Sequence, residues 1–154
     1  MAISKEQWQA IAAELKKGWV SMLFRLHGHE VYVTREHKSE STTCLGVYID
    51  GFMKGIWCKE LSDIDPSDEF MNKVVKQVYF HKFRARYTKK ALEEQAKFKR
   101  KWGAKEAKEI WGDNPEKAGH TYLFPYFGSS TALVRQFKKI EGLELVSELK
   151  EVAA

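Results

Sequence analysis

The spacing of the apolar residues constrains the fold of this chain more than any other feature. Apart from a polar loop over residues 37–42, the apolar side chains of residues 19–58 alternate with a period of two, which is the period of a strand with one buried face. Residues 4–17 repeat every three to four positions instead, and Ser4 and Gln7 form a capping box ahead of them. The chain is therefore predicted to begin with an amphipathic helix that ends near Gly18 and to continue as strands.

Turn residues divide the alternating region into a four-stranded antiparallel meander. Gly28 separates the first two strands. Asp50-Gly51 is typical of a two-residue hairpin loop, so residues 44–49 and 52–58 are predicted to pair as the third and fourth strands. This hairpin is expected to place its apolar side chains toward the core.

The register of that hairpin brings two glycines together. Gly46 would lie opposite Gly55 and leave a bare patch of backbone on one face of the sheet. An aromatic ring is expected to cover the patch, since large rings pack well over strand glycines. A ligand or partner that rests on the patch is the alternative.

A basic helical segment is predicted over residues 67–111. Pro66 and the acidic residues around it are typical of the first turn of a helix. Thr88 and Gly103 are suited to the two ends of a second helix, and a short helix over 104–111 follows.

The C-terminal part is predicted to be strand–helix–strand. The aromatic stretch 122–127 contains Pro125 and should be extended, because the residue before a proline avoids the helical region. Whether these rings are core or interface stays open. A helix from Ser129 or Ser130 and a short strand near 143–147 complete an α+β fold, predicted to be a single domain over residues 1–154.

Charge is segregated along the chain. Residues 73–108 hold 13 Lys and Arg against three Glu, whereas the other 118 residues hold 13 Lys and Arg against 18 Asp and Glu. Such segregation predicts one positive face, which attracts polyanions and acidic protein surfaces.

The candidate binding residues are the cations of this block that lie among aromatic residues. Cations neutralise phosphates and aromatic rings stack on bases, so the pattern is typical of a nonspecific nucleic-acid surface. An acidic protein partner and a solvated helix face are the alternatives. The predicted set is Lys82, Arg84, Arg86, Lys89, Lys90, Lys97, Arg100 and Lys101.

No catalytic, metal or cofactor site is predicted. Cys44 and Cys58 have no spacing that supplies a base, and they are expected to be free cysteines of the strands. His27 and His29 flank a turn glycine and lack the further ligands of a metal site. No glycine-rich phosphate loop occurs, so an enzyme is not expected, and a nuclease is kept as an alternative.

The bulk properties favour a cytoplasmic protein without a membrane span. The longest apolar stretch is far shorter than the roughly 20 residues of a transmembrane helix. The first residues have no secretory pattern, and two cysteines suit a reducing compartment. The oligomeric state is left open.

Three stretches together resemble small accessory proteins of tailed phages and prophages. These stretches are the predicted hairpin 46–57, the basic middle, and residues 122–137 with Pro125, Phe127, Ser129, Leu133 and Arg135. The function of that family is largely unassigned, so the resemblance carries over no functional residue. It implies an anti-defence role, such as that of anti-CRISPR proteins, which act by binding.

The leading functional hypothesis is a non-enzymatic phage or mobile-element protein. It would bind a nucleic-acid-handling defence complex of a bacterial host, a protein or a ribonucleoprotein, through its basic helical surface and inhibit that complex. The alternative is a direct binder of single-stranded DNA or RNA with an accessory or regulatory role.

Overall fold

A computed structural model describes residues 2–147, which form two compact units. The first unit comprises residues 2–81 and 123–147, and the second comprises residues 82–122. The secondary structure is α+β, as predicted. The single-domain prediction stays a prediction.

The first unit contains a five-stranded antiparallel sheet. Strands β1 (Ser21–Leu26), β2 (His29–His37) and β3 (Thr43–Ile49) form a meander, as the alternation predicted. Two short strands, β6 (Tyr126–Phe127) and β7 (Glu144–Leu145), complete the sheet in the order β6-β3-β2-β1-β7.

The predicted fourth strand of the meander is wrong. Ile49 and Phe52 pair across the Asp50-Gly51 turn, with backbone N···O distances of 2.8 and 2.9 Å, but Gly55–Trp57 forms a 3-10 turn. The free edge of β3 pairs with β6 instead. The predicted register would have placed Lys54 beside Val47 on the buried face, and an unpaired buried cation is costly.

Helices cover one face of this sheet. They are α1 (Lys5–Leu15), a π-helical turn (Met71–Val75) that continues into α2 (Lys76–Val78), and α5 (Ser130–Phe137), while Leu61–Asp63 forms a further 3-10 turn. The capping box of α1 is present. The core is built from strand and helix side chains together: the Phe24 ring lies 5.4 Å from Phe137 and 6.5 Å from Trp8.

The other face of the sheet holds a polar cluster over Gly46. The Glu36 carboxylate lies against this glycine, where a Cβ would come within 2.9 Å of the Glu36 Cδ. The Tyr48 hydroxyl donates to Glu36, and the Thr34 hydroxyl donates to it at 3.3 Å. Gly55 lies outside the sheet, so the predicted patch of two facing glycines does not form. A carboxylate covers Gly46, and the expectation of an aromatic ring is wrong.

The second unit is a helical hairpin with strand segments at its ends. Strands β4 (Phe80–Ala85) and β5 (Gly119–Phe124) pair in a second sheet, and α3 (Lys89–Trp102) and α4 (Ala104–Trp111) lie between them in sequence. The prediction of helix throughout 67–111 is therefore wrong at β4, where pairing with β5 replaces the helix. The cap of α3 is as predicted: Thr88 Oγ1 accepts from the Ala91 N–H at 3.1 Å.

Candidate functional site

All eight predicted binding residues lie in the second unit. Residues 82–122 hold twelve Lys and Arg against six Asp and Glu, so the excess of positive charge is concentrated there. Lys82 and Arg84 are on β4 and Arg86 follows it, which corrects the prediction that they are helical. The other five are on α3, namely Lys89, Lys90, Lys97, Arg100 and Lys101.

The five α3 cations share one side of the helix, which we call the basic face. At 3.6 residues per turn they fall within roughly 120° of arc. The apolar residues Leu92, Phe98 and Trp102 fall on the opposite side. The side chains of the basic face are exposed.

The basic face also carries Glu93 and Glu94 near its N-terminal end. Their spacing from the neighbouring lysines would permit i,i+3 or i,i+4 ion pairs. Among the described residues, however, none of the five cations makes an ion pair. The face is therefore available to an external anion.

Aromatic rings lie beside Arg84 on β4 and beside Arg86, which follows that strand. The Arg84 guanidinium carbon lies 5.9 Å from the ring centre of Tyr122, and that of Arg86 lies 5.6 Å from the ring of Tyr87. Such contacts hold a guanidinium over an aromatic face. Tyr122 was not among the predicted residues, because only β4–β5 pairing brings it beside Arg84.

The aromatic residues of this unit divide into structural and exposed rings. Phe98 lies 5.1 Å from Trp111 between ring centres, and the Tyr87 hydroxyl donates to the Trp111 carbonyl at 3.5 Å. These rings join α3 to α4. Phe83 and Trp102 are 50% and 59% exposed, so they are the rings that a base could stack on.

Gly119 allows β5 to approach β4. A Cβ at this position would overlap the Arg84 carbonyl oxygen and lie 2.7 Å from the Phe83 Cζ. Only glycine tolerates such an approach, so it helps to set the positions of these two binding residues. No sequence pattern pointed to Gly119, since it has no conventional turn motif.

The aromatic stretch 122–127 has two kinds of surroundings. Leu123 and Phe127 are buried in the core of the first unit. Phe124 and Tyr126, which alternate with those buried residues along the chain, are half-buried, and their ring centres lie 5.5 Å apart. The stretch alternates between core and partly open surface.

The cysteines and histidines are not brought together into a site. Burial raises the pKa of the Cys44 thiol, aided by the Glu36 carboxylate, and burial also raises the pKa of Cys58. Both are free. His29 Nδ1 lies 2.7 Å from Asp50 Oδ2 in the turn. Residues 2–147 contain no group of three or more His, Cys, Asp or Glu arranged to hold a metal ion.

Comparison of the chain with models of protein families, with curated proteins and with solved structures gave no match. No helix within residues 2–147 has the length and apolar composition needed to cross a membrane.

Proposed function

We propose that the protein is a non-enzymatic binder of single-stranded nucleic acid and that the second unit is its contact surface. The observation that carries the proposal is the basic face of α3, whose cations are exposed and make no ion pair with any residue that the structure describes. Phosphate groups release condensed counterions when they meet such cations, which supplies the affinity.

The exposed rings of Phe83 and Trp102 favour a single strand over a duplex. Bases of a single strand are free to stack on aromatic side chains, and this stacking tolerates any sequence. Lys101 Nζ lies 5.4 Å from the Trp102 ring centre, so a cation and a stacking surface occur side by side.

The test compares two lysines of the same helix. Lys97 belongs to the basic face, whereas Lys99 is exposed on another side of α3. Lys97→Gln should weaken binding of a labelled oligonucleotide by about fourfold at physiological salt and reduce the slope of log affinity against log salt by about 0.7. Lys99→Gln should leave both quantities unchanged.

A second substitution isolates stacking. Trp102→Ala should weaken binding by about 1–3 kcal/mol while leaving the salt slope unchanged, since stacking releases no counterions. Equal effects of Lys97→Gln and Lys99→Gln, or no binding by the wild type, would contradict the proposal.

The second candidate is inhibition of a host nucleic-acid-handling defence complex, the leading hypothesis from the sequence. Ile110 is 57% exposed in the same unit. An isoleucine gives no face for base stacking, and an exposed apolar residue near aromatic and charged ones favours a protein contact. The resemblance to phage accessory proteins also supports this candidate.

A pull-down from bacterial lysate, with and without nuclease treatment, separates the two candidates. A stoichiometric protein complex that survives nuclease and is lost on Ile110→Asp would support inhibition. Recovery that disappears with nuclease would support direct nucleic-acid binding.

A further inference from the structure

Two surface hollows flank α5 in the first unit, and none of the eight predicted binding residues is among the residues that line them. One has a volume of about 420 Å³ and is lined by residues of α2, the start of β4, α5 and the turn after α5. The other has a volume of about 430 Å³ and is lined by residues of α5 and α1. Arg135 and Lys139 line both hollows and form the ridge between them.

The lining of both hollows is cationic. Lys76 adds a positive charge to the first hollow, and Lys16 and Lys138 add two to the second. No Asp or Glu of residues 2–147 lines either hollow. Within residues 2–147 none of these lysines and neither ridge residue makes an ion pair. The repulsion among five converging cations would be relieved by a bound anion.

The wall of the first hollow is held in place by hydrogen bonds. Gln136 Nε2 donates to the carbonyls of Gln77 at 2.8 Å and Tyr79 at 2.7 Å, which ties α5 to the C-terminal end of α2. His81 Nε2 lies 2.8 Å from the Lys76 carbonyl oxygen. Because a carbonyl only accepts, the imidazole donates this hydrogen bond. The hollow is therefore shaped before any ligand arrives.

The second hollow includes the first turn of α5. Ser130 and Thr131 line it, and their N–H groups precede the first internal bonds of the helix. Ser129 Oγ accepts from the Ala132 N–H at 3.2 Å, so the capping hydroxyl bonds to Ala132 and not to the N–H groups of Ser130 and Thr131. Partial positive charge from the helix terminus thus adds to that of the lysines.

We infer that the two hollows bind successive phosphate groups of a nucleic-acid strand that crosses the Arg135–Lys139 ridge. Two hollows that share Arg135 and Lys139 fit a polyanion whose negative charges repeat along a chain. A single small anion would neutralise the positive charge of one hollow and leave that of the other without a counter-charge. This inference rests on the proposed function and adds a second contact for the same ligand.

The test neutralises the ridge and compares it with a matched control. Arg135→Gln/Lys139→Gln removes two exposed cations of the ridge, and Lys5→Gln/Lys38→Gln removes two exposed cations of the same unit outside the hollows. For a single-stranded oligonucleotide, the ridge variant should lose about tenfold in affinity and about 1.4 in salt slope relative to the wild type. The control variant should match the wild type.

A second measurement is independent of the second unit. Addition of inorganic tripolyphosphate to the ¹⁵N-labelled protein should shift the amide resonances of residues 130–139, and the ridge variant should abolish those shifts. Far-ultraviolet circular dichroism checks that both variants are folded.

The outcomes distinguish this inference from the proposed function. If the oligonucleotide binds but the ridge and control variants behave alike, the ridge contact is wrong and the basic face of α3 is sufficient. If the oligonucleotide does not bind, the proposed function fails, and the ridge inference fails with it. If tripolyphosphate nevertheless shifts the amide resonances of residues 130–139, the hollows bind a free phosphate compound rather than a nucleic-acid strand.

Discussion

At the scale of single residues, two tyrosines of the first unit differ in how their hydroxyl groups are satisfied. The Tyr48 hydroxyl donates to the Glu36 carboxylate. The Tyr79 hydroxyl is fully buried and has no hydrogen-bond partner among the described residues. A buried polar group without a partner lowers stability, whereas one bonded to a carboxylate contributes to it.

The same substitution should therefore act in opposite directions at these positions. Tyr79→Phe should raise the free energy of unfolding by about 1 kcal/mol, and Tyr48→Phe should lower it by about 1.5 kcal/mol. Urea unfolding followed by fluorescence measures both changes. A loss of stability in Tyr79→Phe would mean that its hydroxyl is satisfied.

Alkaline pH should destabilise the protein through these tyrosines. The hydrogen bond to Glu36, with burial, raises the pKa of Tyr48 to about 12, and burial raises the pKa of Tyr79. Because the folded state holds these protons more tightly, their contribution is complete below the ordinary pKa near 10 and is lost as the pH rises through the folded value.

The measurement is the unfolding free energy between pH 9 and pH 12. The wild type should become steadily less stable above about pH 10, and Tyr48→Phe should show a shallower decline because one of the perturbed groups is gone. Identical pH profiles for the two proteins would contradict the role of the Tyr48–Glu36 contact.

At the scale of elements, strand pairing depends on close approach at one glycine. Gly119 has a φ of +156° and lies against β4 so closely that a Cβ would be 3.0 Å from the Ala85 Cα. Gly112 has a φ of +82° with open space around it. Both glycines therefore need a backbone conformation that other residues rarely adopt, but only Gly119 also needs the space that a Cβ would fill.

We expect Gly119→Ala to destabilise the second unit more than Gly112→Ala does. Gly112→Ala should cost about 1 kcal/mol through backbone strain alone, and Gly119→Ala should cost at least twice that through added overlap. Amide hydrogen exchange over residues 82–86 reports the change. Oligonucleotide binding should weaken with Gly119→Ala, since Arg84 would move. Equal exchange in the two variants would exclude the close approach.

Several elements were predictable because their signals are local. The capping box and stripe of α1, the alternation of β1 to β3, and the Thr88 and Gly103 boundaries of α3 each depend on neighbours within a few residues. The basic face of α3 was predictable for the same reason, since helix periodicity places its cations together. The ridge residues Arg135 and Lys139 were missed because the hollows form only where α5 meets α1 and α2.

At the scale of the whole molecule, the two units differ in the size of their cores. Nearly all buried apolar side chains lie in the first unit, and in residues 82–122 only Ala107 and Pro115 belong to that class. A unit with little buried apolar area opens at a lower free energy than one with an extensive core.

Native-state hydrogen exchange should therefore divide the chain at the same boundaries. Amides of α3 and α4 should exchange through openings of lower free energy than those of β1 to β3. A mass-resolved exchange series in low concentrations of urea measures this order. Uniform exchange free energies across residues 2–147 would show that the chain unfolds as one cooperative unit.

The sequence by itself determined the elements whose stabilising contacts are local: the first helix, the first three strands of the predicted meander, the capped basic helix and the concentration of charge. The tertiary structure decided which segments meet. The ring centre of Phe127 lies 5.4 Å from that of Phe80 and 6.0 Å from that of Phe137. These contacts hold β6, rather than residues 52–58, against the edge of β3. Pairing with residues 52–58 would have buried Lys54, and this cost depends on contacts between distant segments that no local pattern records.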